Sequence, residues 1–568
     1  MIALCILPTL ALAISAGGGS LATWQSLSET VLPEFTWTTI KLIVMVGVGT
    51  AVVGTSTAWL ITACRFPGRK ILEVLLALPL AFPAYVLAYA YTDLLDHPGA
   101  VQSTLRAVMD WGPRDYWFPE IRSVGGAALM LIFVLYPYVY LLARAAFLRQ
   151  SATAYLAARA LGHSPWSAFF RVRLPMARPA IAGGVMLALM ETVADFGTMA
   201  HFGVRTFATG IYQAWFSMGD RPAAAQLAFC LLLVALFLVF LERIERSARR
   251  HHEAGRRIEP DEPIVLKGRR AAAALVICIL PVLVGFMIPL FVLFEMAIDS
   301  GQSPFSERYL GFISNSMILS LIAASVTMMA AILIGYFVRL HPGKTSSFGK
   351  LLAGLGYAIP GGVVAVSILT PLAGFDNAVD AFMRETFGVS TGLIVTGSAA
   401  ALVFAYAVRF MAVALSAFDT GISAIKGNMD DVARTLGATP ARMLTRVHLP
   451  LMRTSLITGF LIVFVDVMKE LPATLILRPF NFDTLAVQAY RLASDERLAQ
   501  AAVPSLIIVA FGMVPVIILC RTIARSGVSE VARQTVIRPV TAIEPSTAAW
   551  VQPRPLPAKQ GVRRERID

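Results

Sequence analysis

Runs of roughly 20 apolar residues recur from one end of this 568-residue chain to the other. Twenty residues of helix is the length that crosses a bilayer core of about 30 Å. The clearest runs are 42–61, 125–142, 223–241, 271–294 and 501–520. Hydrophobic residues make up 57% of the chain and charged residues only 15%, which leaves too little polar surface for a soluble domain of this length. The expected fold is an all-α membrane protein of about twelve transmembrane helices in two six-helix repeats. The expected spans are 2–16, 39–63, 72–93, 123–143, 179–201, 223–242, 271–295, 313–338, 351–373, 391–408, 454–476 and 501–520. The first is short; Ala11-Leu12-Ala13 has the small-x-small look of a signal-peptidase site, but no basic segment precedes it, and a short membrane helix is preferred.

The net charge of +13 would suggest nucleic acid in a soluble protein, but here the basic residues sort by loop and no nucleic-acid partner is expected. With the N-terminus in the cytoplasm, the segments 64–71, 144–178, 243–270, 339–350, 409–453 and 521–568 face inward and hold 36 of the 48 Lys and Arg residues. That bias satisfies the positive-inside rule. The five cysteines form no C-x-x-C pair and read as small core residues.

Offset by about 275 residues, one half of the chain overlays the other. Leu78-Pro79-Leu80-Ala81-Phe82-Pro83 matches Leu355-Gly356-Tyr357-Ala358-Ile359-Pro360, and Leu174-Pro175 matches Leu449-Pro450. Thr209 and Gln213 match Thr484 and Gln488. Both copies carry six spans in the same order, a parallel repeat that encloses a central path. The expected organisation is a first half at 1–242, a charged cytoplasmic linker at 243–270, a second half at 271–525, and a disordered cytoplasmic tail at 526–568, Pro-rich and basic from 538 on.

Two cytoplasmic loops, 151–178 and 426–453, carry the strongest motif. The first reads Leu156-Ala157-Ala158-Arg159-Ala160-Leu161-Gly162 with Val172-Arg173-Leu174-Pro175 ten residues past the glycine. The second reads Asp431-Val432-Ala433-Arg434-Thr435-Leu436-Gly437 with Val447-His448-Leu449-Pro450 at the same spacing. Small residues let a short helix seat closely in a groove. Gly162 and Gly437 can end that helix in a left-handed turn, and Pro165 and Pro440 can start the next piece. After each loop comes a membrane segment with acids four apart on one helix face: Glu191 and Asp195, then Asp466 and Glu470, with Lys469 beside them. Such acids are costly in a membrane. They either line a cation path or brace the bundle, pairing with Lys469 or satisfying a break at Gly197 or Pro472.

The paired loops resemble the E-A-A-x3-G-x9-I-x-L-P loop of importer permeases in the ATP-binding-cassette family. The family's leading Glu is Leu156 in the first copy and Asp431 in the second, so only the second keeps an acid. The stretch from Lys469-Glu470-Leu471-Pro472-Ala473-Thr474 through Arg478-Pro479-Phe480, with Ala493-Ser494-Asp495-Glu496-Arg497, is similar to the ferric-iron permeases within that family, as is Ala194-Asp195-Phe196-Gly197-Thr198. The resemblance implies the type I importer permease fold in a bacterial inner membrane. It also implies that Ala157, Ala158, Gly162, Pro175, Asp431, Ala433, Gly437 and Pro450 belong to coupling helices that dock two copies of a separate ATPase. The remaining partner is an extracytoplasmic binding protein that delivers the cargo, iron(III) first, with thiamine, phosphonates or polyamines as alternatives. ATP and Mg would be used by the ATPase; this chain is expected to bind no cofactor, fix no metal and catalyse nothing.

Three other patterns fail. Gly343-Lys344-Thr345 ends like a phosphate-binding loop, but Val338 stands where its first glycine is required. Asp195-Phe196-Gly197 matches a kinase tripeptide without the rest of the kinase set, and His251-His252-Glu253 lacks metal-site spacing. An ion-coupled secondary transporter relaying charge through the four acids is the different-class alternative; the paired loops argue against it, since such a carrier has no ATPase to couple. A membrane enzyme is disfavoured by the lack of a catalytic constellation.

Overall fold

Apolar helices that cannot satisfy their backbone in lipid except internally dominate the computed structural model. It describes residues 2–18, 21–150, 152–249, 264–354, 356, 359–423 and 425–536; side chains at 2–6, 21–22, 149, 152–154, 156, 165, 243–249 and 519–536 are also outside the description. The expected linker centre, including His251-His252-Glu253, and residues 537–568 of the tail expected at 526–568 lie outside the described residues, while 526–536, expected to be disordered, are helical. The chain divides into two units, 1–520 and 521–568. In the second, the described residues are helical to Val536.

Among the described residues ten helices are long and apolar enough to cross a membrane: Leu32–Ala63, Val124–Leu148, Trp166–Ala194, Arg221–Glu242, Arg269–Asp299, Glu307–Leu340, Gly361–Phe387, Ala399–Ser423, Pro440–Met468 and Leu498–Ile518. An eleventh expected span is a pair, Arg69–Ala81 and Ala84–Met109, bent by 94°. Phe82-Pro83 lies at the bend, where Pro83 supplies no N–H and keeps Phe82 extended at ψ 129°. The expected first span is the helix Ile2–Gly17, whose 16 residues fall short of a full crossing. Among the described residues, ten of the about twelve expected spans are thus long apolar helices, an eleventh is the bent pair, and the first is a short apolar helix.

One span moves by more than two turns at its start and about four at its end. The span expected at 391–408 is the helix Ala399–Ser423. Residues 391–396 instead form a turn tied down by carboxylates: Asp380 accepts from the Thr391 and Gly392 N–H groups, and Asp376 from those of Val395 and Thr396. Arg409, assigned to a cytoplasmic loop by its charge, sits mid-helix.

The halves are interlocked. The helix Ile2–Gly17 packs on Lys344–Ala353 and Gly361–Phe387 of the second half, and its counterpart Arg269–Val282 with Ile288–Asp299 packs on Leu32–Ala63, Arg69–Leu75 and Ala84–Leu95 of the first. A short parallel pairing of Cys64–Arg65 with Ile264–Val265 ties the same two regions together. One ion pair is charge-reversed between the copies: Glu73 with Arg144 in the first, Lys350 with Asp419 in the second.

Candidate functional site

Each of the two matched loops, 151–178 and 426–453, folds as its small residues and glycine dictate. The helices Ala152–Ala160 and Gly427–Thr435 end at glycines with φ of +87° and +75°. In the first, His163 N–H donates to the Ala158 carbonyl at 3.1 Å and Gly162 N–H to Arg159 at 3.0 Å. In the second, Ala438 N–H donates to Ala433 at 3.0 Å and Gly437 N–H to Arg434 at 2.9 Å. These are two copies of one Schellman termination. Short helices then start at Pro165 and Pro440. Each runs into an i→i+5 turn, Phe169–Arg173 or Leu444–His448, immediately before Leu174-Pro175 or Leu449-Pro450. Both prolines lack the N–H an α-turn would use, so the hydrogen-bond ladder slips by one residue there. Ala157, Gly162, Pro175, Asp431, Gly437 and Pro450 are exposed, Ala433 is half-buried and Ala158 is buried. The side chain of Leu156 lies outside the described residues. Leu161 and Leu436, at the same place in the two turns, stand 81% and 80% exposed, as unpartnered knobs.

The loops are seated differently. In the second, Arg339 holds Asp430 through Nε at 2.9 Å and Nη2 at 3.2 Å, and His448 Nε2 lies 3.0 Å from the same carboxylate. Burial pushes the Asp430 carboxyl up, but those hydrogen bonds outweigh it and hold its pKa below the usual carboxylate value. At the matching places of the first loop, the Arg173 guanidinium lies 4.1 Å from the Tyr155 ring centre, a cation–π contact.

All five membrane charges singled out in the sequence line one cavity of about 110 Å³ between the halves: Glu191, Asp195, Asp466, Lys469 and Glu470. The breaks in the helices place them there. The helix Leu174–Ala194 stops at Asp195 and resumes as Gly197–His201; Leu449–Met468 stops at Lys469 and resumes as Pro472–Leu477. Asp195 caps the resumed piece, accepting from Thr198 N–H at 3.0 Å, Thr198 Oγ1 at 3.1 Å and Met199 N–H at 3.3 Å. Glu470 does the same, accepting from Ala473 N–H at 2.9 Å, Thr474 N–H at 3.1 Å and Thr474 Oγ1 at 2.8 Å. It also takes Arg409 Nη1 at 2.8 Å, with only 12% and 2% of the two side chains exposed. Lys469 reaches Asp466 at 2.9 Å. These two acids are therefore structural caps that also face the cavity.

Sequence reasoning missed Arg409, Tyr85, Tyr138 and Phe196 on the cavity wall. The signal for Arg409 was present: the apolar run continues past it through Phe410-Met411-Ala412-Val413-Ala414-Leu415. Tyr85 and Tyr212 cross between halves, donating to the carbonyls of Lys469, at 3.4 Å, and of Pro472. Gly361 lets Arg409 and Glu470 meet, since a Cβ there would lie 1.9 Å from Arg409 Nη1. The sequence matched Thr209 with Thr484, but the helix-capping threonines are Thr206 and Thr484, because in the second copy the resumed helix is longer by one residue and the loop after it by two.

The model of the family described as "Binding-protein-dependent transport system inner membrane component" matches twice, over 51–250 and 329–526. An Fe(3+)-transport system permease protein of Haemophilus influenzae is 25% identical over 495 residues, covering 86% of this chain and 90% of that one. A molybdenum transport system permease protein of Escherichia coli is 31% identical over 206 residues, 35% of this chain and 86% of the relative. A sulfate transport system permease protein of the same species is 28% identical over 194 residues, 33% of this chain and 67% of the relative.

Proposed function

Because the chain belongs to the family of binding-protein-dependent transport system inner membrane components, as two fused copies, we propose that it carries iron(III) through the cavity between its halves. It is a multi-pass inner-membrane permease subunit of an ATP-binding-cassette importer, working with ATPase and substrate-binding partners. Two ATPase subunits, one per loop helix, use ATP and Mg; the chain itself hydrolyses none. A membrane helix, Glu307–Leu340, precedes Gly343-Lys344-Thr345, in keeping with that division of labour.

The observation that carries the cargo reading is the charge of the cavity. Four carboxylates line it against two cations, Lys469 and Arg409. A net negative wall in a low-dielectric interior favours a cation and opposes a dianion such as sulfate or molybdate. Carboxylates with the phenols of Tyr85 and Tyr138 also offer the oxygen donors a hard cation prefers. A relative that covers 86% of this chain, the Haemophilus influenzae permease, is named for Fe(3+) transport.

The test is ATP hydrolysis in proteoliposomes holding this chain, its ATPase and its binding protein. Iron-loaded binding protein is expected to stimulate hydrolysis and drive uptake of radiolabelled iron, with sulfate and molybdate inert. Stimulation by an oxyanion-loaded binding protein alone would discard iron and keep the permease. Uptake that persists without the ATPase would favour a secondary carrier.

A further inference from the structure

The cavity is symmetric in its acids and asymmetric in its bases. At the 275-residue offset Glu191 matches Asp466 and Asp195 matches Glu470, and all four line the wall. Lys469 matches Ala194, and Arg409 matches Val134; these too line the wall. Both cations therefore come from the second half, where the first half presents only small or apolar side chains. Arg409 is committed to the Glu470 cap at 2.8 Å and is buried. Lys469 differs: it sits at the helix break, its ammonium 2.9 Å from Asp466, and its side chain remains 27% exposed to the cavity. Glu191 and Tyr138 of the opposite half line the same cavity.

We propose that Lys469 is a specificity-determining residue, a tethered cation that occupies the acid cluster of the empty cavity and that a metal-cation cargo must displace. The proposal rests on the cation reading above. A four-carbon stem lets the ammonium swing without moving the helix, and an ammonium is a point charge that a harder, more highly charged cation can outcompete for carboxylate oxygens. Without Lys469 the wall would carry one more net negative charge, and the cavity would hold cations more tightly and with less discrimination. Without Asp466, Lys469 would be an uncompensated positive charge on the path and would repel the cargo. The two neighbours thus act in opposite senses, which a purely structural ion pair cannot do.

The experiment is equilibrium binding of Mn²⁺, read by its paramagnetic resonance signal, to the full chain assembled with its ATPase. Lys469→Met is expected to tighten Mn²⁺ binding roughly tenfold and Asp466→Asn to weaken it by a similar factor, as one unit charge at close range in a partly dry site implies. Lys469→Arg keeps the charge and should bind as the unmodified chain does. Shifts in the same direction, no shift in either variant, or failure of both to assemble would overturn the proposal. Opposite shifts in a chain whose iron-loaded binding protein stimulates nothing would retain the tethered cation and reject iron as the cargo.

Discussion

Glu470 shows how one carboxylate serves a broken membrane helix. It takes two backbone N–H groups that the break leaves without partners, one hydroxyl, and the buried Arg409. Glu470→Gln keeps the shape and removes the charge, leaving a guanidinium uncompensated at a cost of about 3–5 kcal/mol. Asp195→Asn has no such cation to strand and loses charge-assisted hydrogen bonds worth about 1–2 kcal/mol. Thermal unfolding of the purified complex should therefore fall much further for Glu470→Gln. Two variants with unchanged unfolding temperature but no uptake would instead assign both acids to conduction alone. The sequence exposed these acids because charge is conspicuous in an apolar run. Arg409 was passed over because a charge after 18 uncharged residues reads as the end of a span, although the apolar run continues past it, and only the partner 61 positions later accounts for its burial.

At the scale of elements, the loop helices are the most legible parts of the chain. Gly162 and Gly437, Pro165 and Pro440, and the later Leu-Pro pairs are local signals, so the turn, the restart and the ladder slip follow from neighbours in sequence. Nothing lies within 4 Å of where a Cβ would sit on either glycine, so a substitution there meets only backbone strain. Gly162→Ala and Gly437→Ala should each cost about 1–2 kcal/mol of the turn, with Asn milder because it tolerates the left-handed region. The measurable outcome is ATPase retained on the purified chain: reduced for alanine and still lower for valine, nearly restored for asparagine. Equal retention in all variants would contradict a role for the turn in docking. The different seats of the loops, Arg173 over Tyr155 against Asp430 between Arg339 and His448, depend on residues distant in sequence and were not legible.

For the whole molecule, the repeat was legible and the interlocking was not. Hydropathy reports that a helix is apolar, but not which neighbour covers it, so the exchange of first helices between halves has no trace in composition. The exchange has a mechanical consequence: each half holds a helix of the other, so the halves can rock about the cavity without separating. The same is true of the charge-reversed pairs Glu73 with Arg144 and Lys350 with Asp419, where only the repeat shows that two unlike pairs occupy matching places. Alternating access by rigid rocking would open the cavity to one side at a time.

Ala194 lies on the cavity wall, matches Lys469 in the repeat and carries no charge, so it can report access directly. Ala194→Cys, in a background lacking the five native cysteines, would be exposed to a membrane-impermeant maleimide from each side of proteoliposomes, at rest and with the ATPases trapped by ATP and vanadate. Labelling from one side at rest and from the opposite side in the trapped state is the predicted result. Labelling from the same side in both states, or from neither, would contradict a transport path through this cavity.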